Sequence, residues 1–244
     1  MFRFLLLAAL ALAACKGGDN PRNTPHPSLA TGRSPEDISR DALRKPGEVM
    51  DFFGIAPGQQ VLELMSGAGY YADQLSRRVG PKGKVYAQNN QFILNLTGKV
   101  FAARLENPEL ANVQRMDVEL DAMELPKGLD AVVMILFYHD TYWMKTDRAA
   151  MNRKVFEALK PGGVYGIVDH SARKGDGTKH VRSLHRVEES LVVEEVKAAG
   201  FELAGTSDLL RHAEDKRDYN VFKPPAGRDK TDRFVLKFVK PATE

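Results

Sequence analysis

The sequence has a single cysteine, Cys15, and almost no excess charge of either sign. One cysteine cannot form an internal disulfide or a cysteine-rich metal site. The 35 Lys and Arg residues against 32 Asp and Glu give a formal net charge of +3 over 244 residues, with bases and acids interleaved. Since nucleic-acid binding requires a basic surface, we predict no nucleic-acid partner.

The chain also lacks a long apolar run. The longest, Phe4–Ala14, has 11 residues and follows Arg3. A membrane-spanning helix needs about 20 apolar residues, whereas a shorter run after a basic residue is typical of a signal peptide. We therefore predict a signal peptide over residues 1–14.

The apolar run ends in LAAC at residues 12–15, which resembles the lipobox of bacterial lipoproteins. Residues 16–35 are rich in Gly, Pro, Asn and Ser, as in a flexible tether. We predict that residues 15–35 form a lipidated cysteine and tether, so that Cys15 attaches the protein to a membrane on the periplasmic side of a bacterial envelope. The alternative is a cytosolic protein in which the cysteine is incidental.

What the chain does contain is an ordinary globular composition, with 43% hydrophobic and 27% charged residues. After Gly58, short apolar runs alternate with helix-like segments, the βαβ pattern of a mostly parallel sheet. Predicted strands are 60–64, 84–88, 112–116, 129–138, 163–169, 201–207 and 233–239. Predicted helices begin after Ser34 and at Pro46, and cover 70–79, 92–106, 146–159 and 188–199. We predict one α/β domain over 36–244, a doubly wound seven-stranded sheet with helices on both faces and the last strand antiparallel.

A glycine-rich turn follows the first predicted strand, in VLELMSGAGYYADQL at residues 61–75. Glycines let backbone approach a ligand closely, and the amino terminus of the next helix offers unpaired N–H groups. The segment resembles motif I of the class I S-adenosylmethionine-dependent methyltransferases, an acidic residue followed by GxGxG. Met65 stands at the first glycine of that pattern, and Gly67 and Gly69 at the second and third.

Three further segments resemble the same family in the same order. Asp117 follows the third predicted strand, residues 125–140 read LPKGLDAVVMILFYHD, and residues 159–169 read LKPGGVYGIVD. Shorter segments, among them FYHD and LHRVEE, resemble a bacterial group of exported, predicted methyltransferases. The resemblance covers roughly residues 46–240 and implies a Rossmann-like methyltransferase fold.

The resemblance also implies S-adenosylmethionine as cofactor. Carried over residue by residue, the cofactor-binding set is Glu63, Ser66, Gly67, Ala68, Gly69, Asn89 and Asp117. Asn89 takes the place where the family has an acidic residue that accepts hydrogen bonds from the ribose, and an amide oxygen is a weaker acceptor than a carboxylate. The alternative is that the polar members of this set satisfy loop backbone.

Histidines and acids cluster just after the fourth and fifth predicted strands. Because adjacent parallel strands end side by side, we expect His139, Asp140, Asp169 and His170 to converge, with His185 near the rim. His139, Asp140 and His170 are the candidate catalytic residues, with a histidine as general base for the methyl acceptor.

The same strand ends resemble the metal-dependent catechol-type methyltransferases, which suggests a divalent metal held by Asp140, Asp169 and His170. A histidine nitrogen in that set favours a transition metal over magnesium. The alternative is that these side chains hydrogen-bond the following loops.

Two classes of function follow from these patterns. The first is a methyltransferase acting on a small-molecule acceptor, and the second is a non-catalytic envelope protein that uses the fold to bind a metabolite, metal or protein. Tyr70, Tyr71 and Trp143 are candidates for the wall of an acceptor pocket, and the polar segment 212–232 is expected over one edge of the site. The sequence leaves the acceptor and the oligomeric state open.

Overall fold

A computed structural model describes residues 32–223 and 227–242. The predicted signal peptide, Cys15 and most of the tether lie outside these residues. Within the described residues, no helix combines the length and the apolar character needed to cross a membrane.

Seven strands form one sheet in the order β3-β2-β1-β4-β5-β7-β6. β1 to β5 run parallel, and β7 is antiparallel to both β5 and β6. The strands are β1 Gln60–Leu64, β2 Lys84–Asn89, β3 Val113–Asp117, β4 Leu129–Ile135, β5 Leu159–His170, β6 Glu202–Ser207 and β7 Arg233–Val239. The predicted sheet, its mostly parallel direction and its antiparallel last strand are confirmed.

The helices are α1 Pro35–Arg44, α2 Pro46–Phe53, α3 Tyr70–Val79, α4 Gln91–Leu105, α5 Asp140–Trp143, α6 Arg148–Ala158 and α7 Glu189–Ala198. The Ser34 side chain caps α1 by accepting a hydrogen bond from the Asp37 N–H at 3.0 Å, which satisfies one of the free donors of the first turn. Two hydrophobic clusters cover the two faces of the sheet. One includes residues of α6 and α7, and the other residues of α2 and α3.

Two strands differ from the predicted bounds by more than one residue. β4 ends at Ile135 rather than Tyr138, because Leu136 has φ of 62°, in the left-handed region, and leaves the extended conformation. β5 begins at Leu159 rather than Gly163, since Leu129 on β4 pairs with Leu159 across a register irregularity. Strand pairing therefore extends β5 through an exposed Pro-Gly-Gly sequence that predicts a turn.

Strand order reverses between β1 and β4, which are neighbours although β2 and β3 separate them in sequence. Open α/β sheets bind ligands beyond the carboxyl ends of the strands at such a switch point. The glycine-rich turn after β1 and the His-Asp pair after β4 both lie there.

Candidate functional site

The turn after β1 has the backbone of a glycine-rich loop at three alternate positions. Met65, Gly67 and Gly69 have φ of 57°, 60° and 81°. Met65 thus adopts the left-handed conformation expected of the glycine it replaces, at the strain that a side chain carries there. The turn therefore has a left-handed backbone at all three positions that the motif I pattern gives to glycine.

Gly67 and Gly69 lack side chains for different reasons. A Cβ at Gly67 would come no nearer than 3.7 Å to its closest neighbour, the ring of Phe137. At Gly69 it would lie 2.9 Å from both Arg104 and Phe101 of α4. At Gly69 packing against α4 alone leaves no room for a side chain, and the close approach of a ligand to both glycines stays a prediction.

Side chains from β2 and α4 hold the turn in place. The Gln88 Oε1 accepts a hydrogen bond from the Met65 N–H at 2.9 Å, and its Nε2 donates to the Val118 carbonyl at 2.6 Å. Asn89 accepts from the Gly67 N–H at 2.8 Å and donates to the Gly67 carbonyl at 3.1 Å. The side-chain oxygen and nitrogen of Asn89 thus both bond the Gly67 backbone. This agrees with the alternative that the polar residues of the predicted set satisfy loop backbone.

Arg104 is the third of these anchors. Its Nε donates to the Ala68 carbonyl at 2.7 Å, and its guanidinium pairs with Asp37 at 2.5 Å and Asp73 at 3.3 Å. All three charged side chains are buried, and this network joins α1, α3 and α4 beside the turn. Neither Gln88 nor Arg104 was among the predicted site residues. Gln88 stands next to Asn89 in sequence, whereas no local pattern pointed to Arg104.

Glu63 is buried at the carboxyl end of β1. Burial raises the pKa of Glu63 to about 7, and interactions with Ser66, Arg44 and Arg104 only partly offset this. Its Oε2 has no hydrogen-bond partner among the residues that the structure describes. The Ser66 hydroxyl donates to the backbone carbonyl of Glu63 at 3.3 Å. The two buried polar residues are thus linked where β1 leads into the turn.

Asp117 is the register partner of Asn89 across β2 and β3, but its side chain pairs along its own strand. Its two carboxylate oxygens each accept a hydrogen bond from Arg115 Nε at 2.8 Å. Its side chain is more than a third exposed. The structure thus places Asp117 at the margin of the predicted cofactor surface, already paired with a neighbour on its own strand.

Beyond β4 and β5 the predicted convergence occurs around His139. The His139 Nδ1 lies 2.7 Å from Asp169 Oδ1, and its Nε2 lies 3.0 Å from Asp140 Oδ1 and 3.3 Å from His185 Nδ1. His139 is 1% exposed and Asp169 0%, while Asp140 is 8% exposed. His185, expected near the rim, contacts both His139 and Asp140 and is the most exposed of the four side chains.

The two carboxylates control the charge of His139. Burial by itself lowers the pKa of His139, but Asp169 and Asp140 outweigh it and raise that pKa to about 10. Burial opposes ionisation of Asp140 as well, yet His139, with hydrogen bonds from His185 and Trp143, holds the pKa of Asp140 well below its usual range. The two carboxylates thus strongly favour the protonated, positively charged form of the His139 ring.

His170 lies beside His139 and hydrogen-bonds a different partner. Its Nδ1 lies 2.6 Å from the Thr231 hydroxyl, and its ring centroid is 5.9 Å from that of His139. The side chain is fully buried. The set that the structure brings together is therefore His139, Asp140 and His185, with ligand atoms within 4.8 Å of one another, rather than the predicted Asp140, Asp169 and His170.

Aromatic side chains surround the exposed side of the group. Trp143 donates its indole N–H to Asp140 Oδ1 at 2.7 Å, and its ring packs edge-on against Phe92. The Phe222 ring packs against His185, with centroids 4.8 Å apart. Phe222 belongs to the polar segment 212–232, which contacts the site as expected. Tyr70, in contrast, is buried under Arg44 of α1, 4.3 Å from its guanidinium, and does not line this side.

Two cavities lie near opposite ends of the sheet. A cleft of about 220 Å³ at the carboxyl ends is lined in part by Asn90, Phe92, Glu119 and Met144. A larger groove of about 1120 Å³ is lined at the amino ends of β1, β2 and β3. The smaller cleft lies at the end of the sheet where open α/β sheets bind ligands.

Comparison with known proteins places the chain among methyltransferases. Residues 39–184 match the ubiE/COQ5 methyltransferase family. The ubiquinone/menaquinone biosynthesis C-methyltransferase UbiE of Shewanella woodyi is 30% identical over 134 residues, which are 54% of this chain and 51% of that protein. UbiE of Edwardsiella ictaluri is 30% identical over 124 residues, 50% of this chain and 47% of that protein. The chain thus spans about half the length of the curated relatives it matches.

Solved structures share the fold. A SAM-dependent methyltransferase from Aquifex aeolicus superposes with a TM-score of 0.63 at 22% identity, covering 86% of this chain and all (100%) of that one. The [4+2]-cyclase SpnF has a TM-score of 0.63 at 17% identity, covering 83% of this chain and 82% of that one. At such identities the likeness shows the fold alone. None of these similarities supports the alternative of a non-catalytic binding protein.

Proposed function

Because the chain belongs to the ubiE/COQ5 methyltransferase family, we propose that it transfers a methyl group from S-adenosylmethionine to a small-molecule acceptor. The observation that carries the proposal is the turn at residues 65–69, which keeps the left-handed backbone of motif I at the switch point between β1 and β4. Methyl transfer from a sulfonium is an in-line displacement, so the protein's main task is to align donor and acceptor.

The cofactor side of the proposal consists of Glu63 and the turn from Ser66 to Gly69. Gln88 and Asn89 act by fixing this turn through its backbone, which preorganises the binding surface before the ligand arrives. The cleft of about 220 Å³ is below the range of about 300–1,000 Å³ for ligand pockets. It suits one part of the cofactor, and we assign it to the adenine ring.

The acceptor side is the group after β4. Asp140 and His185 keep exposed surface, whereas His139 and His170 are enclosed. We therefore assign contact with the acceptor's polar atom to Asp140 and His185. His139 positions them, which replaces the predicted direct role of His139 or His170 as general base.

The acceptor's chemistry is indicated by its surroundings. Phe92 is 45% and Phe222 44% exposed, unusually high values for large apolar side chains. The Phe92 ring packs against Trp143, and the Phe222 ring packs against His185. Aromatic rings bind planar apolar molecules by stacking and edge contacts. The matched relatives are named for ubiquinone and menaquinone biosynthesis, which agrees with a ring-containing, largely apolar acceptor.

We also propose that the protein is exported and lipid-anchored at Cys15 in a bacterial envelope. The support is the apolar run ending in LAAC. Intact mass of membrane-extracted protein should show cleavage before Cys15 and an added lipid. An intact Met1, or an unmodified Cys15 at the new terminus, contradicts this.

The methyltransferase proposal is tested by calorimetry of the full chain with S-adenosylmethionine and S-adenosylhomocysteine. We expect both to bind, and Gly67→Leu to abolish binding by filling the surface that the ligand approaches. Gly128→Leu is the matched control, since Gly128 has φ of 76° and open space around it and introduces similar backbone strain away from the site. Absence of binding by the unaltered chain, or equal binding by Gly67→Leu, would count against the proposal.

A further inference from the structure

Three possible metal ligands meet in a nearly equilateral triangle after β4. The separations are 3.0 Å from His139 Nε2 to Asp140 Oδ1, 3.3 Å from His139 Nε2 to His185 Nδ1, and 3.3 Å from His185 Nδ1 to Asp140 Oδ1. We propose that His139, Asp140 and His185 bind one transition-metal cation, for which Zn²⁺ is the reference ion.

The dimensions of the triangle fit such an ion. Zinc binds histidine nitrogen and carboxylate oxygen at about 2.0–2.2 Å in tetrahedral geometry, which places ligand atoms about 3.3–3.5 Å apart. Two edges have that length and the third is shorter by a few tenths of an ångström. Small side-chain rotations therefore suffice for coordination.

Asp169 fixes the orientation of the His139 ring for metal binding. Its buried carboxylate takes the His139 Nδ1–H, so when Nε2 gives up its proton to an incoming metal its lone pair is directed between Asp140 and His185. Before the metal binds, both histidines can donate hydrogen bonds to Asp140 Oδ1. A cation at the centre contacts all three ligand atoms together.

Outer contacts hold two of the ligands in orientation. Asp169 Oδ2 accepts the His139 backbone N–H at 2.6 Å, while Oδ1 accepts the backbone N–H of His170 at 2.8 Å as well as the His139 ring. Trp143 donates to Asp140 Oδ1. A carboxylate behind a ligating histidine and a donor behind a ligating carboxylate are the usual supports of a metal site.

The third ligand is delivered by a strained but firmly anchored segment. His185 has φ of 55°, a left-handed conformation that is strained for a residue with a side chain. The next residue, Arg186, is fully buried and paired with Asp215 at 2.9 Å, and the Val187 N–H donates to the His170 carbonyl. The surrounding fold thus imposes the position from which His185 reaches the triangle.

The ligand chemistry selects the class of ion. Two imidazole nitrogens and one carboxylate favour zinc, iron, nickel or copper over magnesium, which prefers oxygen ligands. Three protein ligands leave a fourth position of a tetrahedral ion open. The metal inference does not rest on the proposed function.

The inference is tested on the full chain after removal of metals with a chelator. Calorimetric titration with Zn²⁺ should give one ion per chain, and Co²⁺ should produce the visible absorption of a tetrahedral site. Excess Mg²⁺ should not displace either ion. Loss of an outer support costs about 10–100-fold in affinity, so loss of a ligand by His185→Ala should cost more than about 100-fold.

His180→Ala is the matched control, because His180 is a partly exposed histidine outside the triangle that contacts Ser183 and Asp176. It should bind Zn²⁺ as the unaltered chain does. His185 is partly exposed, and circular dichroism should show that both variants keep the fold. No stoichiometric Zn²⁺ binding, or equal affinity in His185→Ala, overturns the inference.

Titration of the same samples with S-adenosylmethionine separates this inference from the proposed function. Zinc binding without cofactor binding leaves the metal site standing and counts against the methyltransferase proposal. Cofactor binding without zinc binding supports the methyltransferase proposal and overturns the metal site.

Discussion

Replacing Glu63 by glutamine should make folding stability depend differently on pH. The pKa of Glu63 rises from 4.5 to about 7 on folding, because its carboxyl is fully buried. At about 1.4 kcal/mol for each pKa unit, the ionised side chain costs the folded state about 3 kcal/mol. Glutamine has the same shape and no charge.

The sign of the effect follows from proton binding. Below pH 4.5 the carboxyl is protonated in both the folded and the unfolded state, so it costs nothing. Between pH 4.5 and about 7 the folded state binds more protons, and its stability falls as pH rises. Above about pH 7 the full cost is present. Glu63→Gln should therefore gain stability relative to the unaltered chain across this window, by about 3 kcal/mol at most.

The assay is urea unfolding of both proteins at pH 4.5, 6 and 8, with the free energy of unfolding extrapolated to water. Glu48→Gln is the control, since Glu48 is exposed on α2 and tests removal of a carboxyl as such. A difference between Glu63→Gln and the unaltered chain that stays constant with pH, or that shrinks as pH rises, would refute the reasoning.

Three further variants test the glycine-rich turn and the cluster of His139, Asp140 and His185. Asn89→Asp removes the donor to the Gly67 carbonyl and should cost about 1–3 kcal/mol of unfolding free energy at pH 7; an unchanged or tighter cofactor affinity together with unchanged stability would contradict the role given to Asn89. Gly69→Ala places a Cβ 2.9 Å from Arg104 and Phe101 at φ of 81°. It should cost about 2–5 kcal/mol in urea unfolding, and a loss no larger than that of Gly128→Ala would argue against the packing explanation. Trp143→Phe keeps an aromatic ring at this position but removes the hydrogen bond from the indole N–H to Asp140. The Zn²⁺ affinity measured by calorimetry should then fall about tenfold or more. An undiminished affinity would show that this hydrogen bond does not support Asp140 as a ligand.

Much of the fold could be predicted because the signals are local. β1 and β7 have the predicted bounds, and α3 begins and ends where the sequence indicates. Apolar residues at strand or helix period, glycine turns and a capping serine act over a few residues, so they can be recognised without knowing what packs against them. The meeting of His139 with Asp169 also followed from topology, since β4 and β5 are adjacent parallel strands.

The bounds that the sequence did not predict depend on distant backbone. β5 runs through Pro161 and Gly162 because its first residue pairs with β4, and because the Gly162 N–H donates to the Lys240 carbonyl at 2.8 Å. These partners lie 30 or more residues away in sequence. A turn signal in the local sequence is overridden when sheet pairing satisfies the same backbone groups.

The features of the site also divide into those set by the local sequence and those set by tertiary packing. The sequence alone determined that a glycine turn follows β1 and that histidines and acids follow β4 and β5. Only the tertiary structure decided that Asn89 and Arg104 hold the turn, that Gly69 makes room for α4, and that His185 joins His139 and Asp140. His185 follows β5 by 15 residues and is placed by the buried ion pair of Arg186 with Asp215, 29 residues further along the chain. Contacts between such distant segments form only when the whole chain packs, so no local pattern could have indicated them.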